Sequence, residues 1–224
     1  MRPLDTAYMW DLVPVIAGYV PLTLFMAIVA MVAALTLGSA LAIVRVLRVP
    51  VLDRIVAVFI SFFRGTPLLV QLFLFYFGLP QIVPAMTGID GVTAAIIGLT
   101  LHFSAYMAES IRGAILGVDR SQWEAAQSIG MTQGQLLRRI ILPQAARTAA
   151  PTLMNYFIDM IKSTSLAFTL GVTEMMGAAQ KEAAGSFLYL EAFLVVALFY
   201  WVIVETLSAG QRRLESSLGK AVAR

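Results

Sequence analysis

From Leu12 to Val44 the chain runs without a charged residue. A helix needs about 20 apolar residues to cross the hydrocarbon core of a bilayer. The run is therefore long enough to span by itself, with Pro21 in its first turn. Within it Ala30, Ala34, Gly38 and Ala42 recur every fourth residue, a small-residue stripe that lets a second helix approach closely. The N-terminal residues, MRPLDTAYMWDLVP, lack the basic start and short apolar core of a cleaved signal, so the first span is expected to be a true anchor.

The rest of the composition agrees. Of the 224 residues 59% are hydrophobic and 13% charged, with a mean hydropathy of +0.83. A soluble domain carries about 25% charged residues, so this one belongs in a membrane. The absence of cysteine and the single histidine exclude disulfides, iron–sulfur clusters and most zinc sites. No G-x-x-x-x-G-K-[ST] occurs, so ATP hydrolysis by a P-loop is excluded. The 11 methionines scatter through the apolar segments and read as core filler.

Hydropathy predicts an all-α integral membrane protein with five spans and no second domain. After the first come Ile55 to Gly78, Gly91 to Ile111, Thr148 to Val172 and Ser186 to Leu207. The second is interrupted by Arg64-Gly65-Thr66-Pro67; a break of this kind frees backbone groups and is tolerated only under cover of protein or a water-filled cavity. Pro80 to Gly91 and Glu174 to Gly185 read as loops. Basic residues gather at 45–54, 112–147 and 212–224, while the other side holds Arg2 and Lys181 against Asp5, Asp11, Asp90 and Glu174. By the positive-inside rule the N-terminus is expected outside and the C-terminus in the cytoplasm.

One long polar insertion separates the apolar segments: Glu124 to Pro143, EAAQSIGMTQGQLLRRIILP. Ser121-x-x-Glu124 and Thr132-x-x-Gln135 each have the form of a capping box, and Gly130 between them can take the left-handed conformation that ends a helix. Two short helices joined by a sharp turn are predicted, with Pro143 closing the second. Leu136, Leu137, Ile140 and Ile141 share a face of that second helix. Residues 120–146 thus form a rigid, cytoplasm-facing pair of helices suited to contact a partner.

Ionisable residues at membrane depth mark interior faces or water-filled paths. Asp159 and Lys162 lie three apart on one helix face, and Ser163, Thr164 and Ser165 extend the patch. The pair offers partners for both the ammonium and the carboxylate of an amino acid, or is a structural ion pair. Arg64 attracts a substrate carboxylate or pins the broken helix by donating to freed carbonyls. His102 reads as a satisfied polar residue or as a binding group. Glu109 and Arg112 form an intrahelical pair. Ser104 and His102 point apart on a helix, which argues against an intramembrane hydrolase, and no catalytic or metal-ligating set is expected.

The insertion fits a known signature without a gap: EAA at Glu124, Ala125 and Ala126, glycine at Gly130, and I-x-LP at Ile140, Leu142 and Pro143. It resembles the EAA loop of membrane subunits of bacterial ABC importers. The strings FRGTPLLVQ at Phe63–Gln71, AESIRGAI at Ala108–Ile115 and KSTSL at Lys162–Leu166 are similar to the polar amino acid branch, the histidine, glutamine, glutamate, arginine, opine and cystine permeases. AESIRGAILGVDRSQWEAA most resembles cystine-type permeases.

The resemblance implies the type I importer fold in a bacterial inner membrane. It also implies that Glu124, Ala125, Ala126, Gly130, Leu142 and Pro143 couple to a cytoplasmic ABC ATPase dimer, which holds the ATP and magnesium. A second copy or a homologous permease subunit would line the path, and an extracytoplasmic binding protein would deliver the amino acid. Substrate contacts are expected from Asp159, Lys162, Ser163, Ser165, Arg64 and His102. No nucleic-acid partner is expected. The competing reading is an ion-coupled secondary amino acid transporter, although such proteins show more spans and internal inverted repeats.

Overall fold

The computed structural model describes residues 3–222, with side chains through 213. Arg2 and Arg224 lie outside the described residues, as does the Lys220 side chain. The described chain is all-α. Its first apolar run is divided: α1 (Thr6–Ala17) ends at Gly18, and α2 (Val20–Leu47) begins with Pro21 in its first turn, where a missing N–H costs nothing. Next come α3 (Leu52–Gly65), α4 (Leu68–Phe73), α5 (Gly91–Leu116), α6 (Arg120–Ser128), α7 (Gln133–Leu136), α8 (Leu142–Ser163), α9 (Met175–Ser186) and α10 (Tyr189–Val222).

The expectation of five spans is not met. Among the described residues three helices are long and apolar enough to cross a membrane, Val20–Leu47, Gly91–Leu116 and Tyr189–Arg213. A fourth is reached only if Leu52–Gly65 and Leu68–Gln81, bent by 111°, count as one broken span. The predicted fourth span fails for two reasons. Arg147, Asp159 and Lys162 dilute the hydropathy of α8, and the helix does not run to Val172. It stops at Ser163, continues as a 3-10 segment over Thr164–Leu170, and turns away at Gly171, whose φ is +83°. The expected placement of the termini on opposite sides rested on the count of five and goes with it. The loop expected from Glu174 to Gly185 is the helix α9.

The small-residue stripe does what its spacing predicts. Ala30, Ala34, Gly38 and Ala42 are all buried, and α2 packs along α5. A Cβ at Gly38 would lie 2.9 Å from the Ser104 carbonyl oxygen and 3.0 Å from Met107 Cβ. Lipid tails are as apolar as leucine, so burial from water drives little association here; close packing of this kind does. Met26, Met107 and Met160 fill the same core, with Leu72, Leu99 and Phe103.

A second cluster joins α1 to α9 and α10 through Leu12, Ile16, Met175, Ala179 and Val195. Its polar end is stapled: Asp5 N donates to Glu191 Oε1 at 3.3 Å, and Ser186 Oγ donates to Tyr8 Oη at 2.8 Å. At the other end of the bundle Val46 and Arg48 of the α2 terminus meet Leu116 and the α6–α7 pair around a cavity of about 430 Å³.

Candidate functional site

The α6–α7 pair is built from local signals. Asp119 caps α6, its Oδ1 accepting from Ser121 N at 2.8 Å, and these bonds hold its carboxyl below the usual carboxylate range. The Ser121–Glu124 capping box is therefore not formed; Glu124 accepts instead from Arg120 Nε at 3.1 Å. A carboxylate two residues upstream reaches the orphan amides first.

The far end of α6 closes by the two backbone bonds of a Schellman motif. Gly130 N donates to Gln127 O at 2.9 Å and Met131 N to Ala126 O at 3.1 Å, with Gly130 at φ +76°. Thr132 and Gln135 then form the predicted capping box. Pro143, however, does not close the second helix. The four-residue α7 opens into a π-turn over Leu137–Ile141 and runs on into α8, where Pro143 lies in the first turn and needs no N–H partner.

Burial divides this pair into two faces. Ala126, Leu136, Ile141 and Ala145 pack with Ala114 and Ile115 of α5. Glu124, Ala125, Gly130 and Pro143 face outward, as does Ile129, which is 78% exposed. Ala126 therefore serves the inner face, and Leu142 is half-buried. Ile129 was not singled out by sequence reasoning; an apolar residue immediately before a left-handed glycine is the signal that marks it. Gln144 Nε2 donates to Gln122 Oε1 at 2.6 Å and to Ile140 O at 2.8 Å, fastening α6 to α8.

The ionisable residues that the sequence marked inside apolar segments fall into two groups. On α8, Lys162 Nζ lies 2.6 Å from Asp159 Oδ1, both side chains being 53% exposed. Ser163 Oγ donates to Asp159 O and Ser165 Oγ to Lys162 O, so these hydroxyls present acceptors only. The second group surrounds the α3–α4 break. Thr66 Oγ1 donates to Phe62 O, Gln71 Nε2 to Phe63 O, and Tyr106 Oη to Arg64 O. The freed carbonyls are thus satisfied by Thr66, Gln71 and Tyr106, not by Arg64. The Arg64 guanidinium is exposed, its carbon 5.5 Å from the centre of the Tyr106 ring. His102 is half-buried against the same ring and bonded to Gln71.

Two tyrosines bridge the groups. The rings of Tyr106 and Tyr156 are 6.0 Å apart, and Tyr156 Oη lies 2.9 Å from Ser110 Oγ. Tyr156 stands three residues before Asp159 and Tyr106 four after His102, spacings that place each on the marked face.

Residues 34–220 match the family model described as "Binding-protein-dependent transport system inner membrane component". The chain belongs to this family. Among its relatives, the "Probable amino-acid ABC transporter permease protein PatM" of Vibrio harveyi is 60% identical over 98% of this chain and 99% of its own. The "Probable amino-acid permease protein YxeN" of Bacillus subtilis is 47% identical over 98% of both. A solved structure described as "Crystal structure of an amino acid ABC transporter with histidines" superposes with a TM-score of 0.88 at 31% identity, covering 96% of this chain and 100% of that one.

Within this inner-membrane-component fold sits a buried carboxylate that reading the sequence as loop had passed over. Glu174 is fully buried and caps α9, accepting from Met176 N and Gly177 N. It also accepts from Thr23 Oγ1 at 3.1 Å and Tyr200 Oη at 2.8 Å, joining α2, α9 and α10. Burial pushes its carboxyl above the usual range, against the pull of these donors. Its partners come from distant parts of the chain, so no local pattern announces them.

Proposed function

We propose that this chain moves a polar amino acid across the inner membrane by alternating access, with residues 120–146 as the point where force enters. It is a permease subunit of an ABC-type amino-acid importer and acts with a separate ATPase, which binds the ATP and magnesium. The observation that carries the coupling reading is the outward display of Glu124, Ala125, Ile129 and Gly130 on a turn locked at both ends by capping bonds. A rigid projection of this kind transmits displacement, where a floppy loop would absorb it. The coupling set is Glu124, Ala125, Gly130 and Pro143 on the surface, with Ala126 and Leu142 fixing the frame behind them.

On this reading the cytoplasmic ATPase dimer draws two such projections together and opens the path outward. One projection is on this chain and the other on a second copy or a homologous subunit. An extracytoplasmic binding protein releases its amino acid into the path, and hydrolysis restores the inward state. Directionality follows because ATP and the loaded binding protein favour different conformations; a ligand shifts an equilibrium only through differential affinity.

The substrate site on this reading is the face carrying Asp159, Lys162, Ser163 and Ser165, with Arg64 across the Tyr106–Tyr156 pair; His102, whose Nδ1 is taken up by Gln71, is left outside it. Half-exposed charges such as these do not face lipid, where a charge costs at least about 2.5–3.5 kcal/mol, so the face is open to water or to a partner. Asp159 and the serine oxygens suit an ammonium group, and Lys162 and Arg64 suit a carboxylate. A cystine-type substrate is supported by the Ala108–Ala126 string alone.

The test is reconstitution in liposomes with the ATPase subunit and the binding protein. Labelled cystine, glutamine, histidine and arginine are offered with ATP inside or withheld. ATP-dependent uptake of one or more of them is expected. Uptake that ignores ATP and collapses with a protonophore would instead identify an ion-coupled carrier.

A further inference from the structure

A buried amide fastens the α3–α4 break to α5, beside the bond from Tyr106 Oη to Arg64 O. Gln71 is fully buried. Its Nε2 donates to Phe63 O at 3.0 Å, Thr66 O at 3.1 Å and Thr66 Oγ1 at 2.8 Å. The two carbonyls accept only, which fixes the amide orientation and turns Oε1 toward His102. His102 Nδ1, 3.0 Å away, must then be the donor. That nitrogen keeps its proton in both the neutral tautomer required here and the imidazolium, so the bond does not titrate. The next residue of α4, Leu72, seats against Gly98, where an added Cβ would collide with it. Gly98 and His102 are one turn apart on α5. Adjacent residues of α4 thus occupy two consecutive positions along one face of α5.

We propose that Gln71 is a positioning residue for translocation, making the break move as one body with α5. The consequence runs along the fold. Helix α5 is continuous from Gly91 to Leu116, and Ala114 and Ile115 at its end pack on the α6–α7 pair. Displacement of that pair carries α5, and through His102 and Gln71 it carries α4, the freed end of α3 and the Arg64 cation above Tyr106. Without the amide, the break loses its buried tie to α5 and follows it less faithfully, through the Tyr106 bond and the packing of Phe63 alone. The role rests on the transport reading above, but the geometry it asserts does not.

The test uses the assembled transporter with Gln71→Glu, Gln71→Met, His102→Leu and His102→Gln. Gln71→Glu keeps an acceptor for His102 and loses both donors to the break; His102→Leu does the reverse. His102→Gln restores a donor. Leaving a buried group unpaired predicts a loss of uptake of about tenfold in the first three and near-wild-type uptake in His102→Gln. ATP hydrolysis stays within about twofold throughout, which is uncoupling.

Because the chain has no cysteine, spin labels at Phe62→Cys and Val70→Cys, each nearly half exposed, read the bend directly. The wild-type distance distribution is narrow and broadens in the Gln71 variants. Should the Gln71 variants fail to assemble, His102→Leu, which leaves the bonds at the break in place, decides alone. Uptake within about twofold of wild type in Gln71→Met, or in His102→Leu where that variant decides, overturns the proposal, as does a fall in hydrolysis parallel to uptake. An unchanged bend in the Gln71 variants overturns it too, whatever the wild-type complex transports. Absence of an ATPase from the wild-type complex would strike at the transport reading instead and leave the bend measurement standing.

Discussion

The ammonium of Lys162 lies 2.6 Å from a carboxylate oxygen of Asp159, one turn earlier on α8, and both side chains are half exposed. An exposed pair of this kind contributes about 0–1 kcal/mol to stability, so the fold does not depend on it. Asp159→Asn and Lys162→Met are therefore expected to assemble normally. Each lowers the apparent affinity or rate of ATP-driven uptake by about tenfold, the loss of one charged contact to a substrate group. Unchanged uptake kinetics in both variants would reduce the pair to a structural one.

Gly130 is held at φ +76° with open space where a Cβ would stand. The constraint is backbone strain alone. Asparagine tolerates the left-handed region and β-branched residues do not, the penalty being about 1–2 kcal/mol. Gly130→Asn is expected to retain most substrate-stimulated ATP hydrolysis and Gly130→Val to lose most of it. Equal activity in the two would show that the turn does not transmit force.

Gly38 makes the opposite case, since its φ is ordinary and its space is not. A methyl group there meets the Ser104 carbonyl and Met107 Cβ, both backbone-anchored. Gly38→Ala is expected to push α2 from α5 and cost about 1–3 kcal/mol, seen as a lower melting temperature of the detergent-solubilised complex. A melting temperature equal to wild type would mean that the two helices are not in close contact.

Glu174 has a carboxyl raised above its ordinary value of 4.5 by burial. The folded state therefore binds the proton more tightly than the unfolded one. Stability is fullest below 4.5 and falls as pH rises through the raised folded value. Glu174→Gln removes this component, so melting temperature followed across that range is expected to slope less in the variant. An identical slope in both proteins would contradict the assignment.

Signals that act within one turn of helix were legible in the sequence. Thr132 with Gln135, the left-handed Gly130, the buried face of Leu136 and Ile141, and the α2 stripe all stand where spacing placed them. Competition between neighbours was not legible. Asp119 outcompetes Ser121 for the start of α6, and Pro143, which stops a helix from within, is harmless in a first turn.

The span count failed where hydropathy over Thr148 to Val172 hid both a change of helix type and a reversal at Gly171. At the polar sites, Asp159 and Lys162 were found because they lie three apart. Gln71 and Glu174 were missed because their partners, His102 for one and Thr23 and Tyr200 for the other, lie far along the chain.

The central claim is that residues 120–146 couple this permease to a separate ATPase. Affinity purification of the tagged wild-type chain from its native host in mild detergent, with mass identification of what accompanies it, tests that claim most directly. An ABC ATPase is predicted to accompany wild type and to be depleted from Gly130→Val purified to the same yield. Retention of the ATPase by the variant, or its absence from wild type in several detergents, would contradict the account.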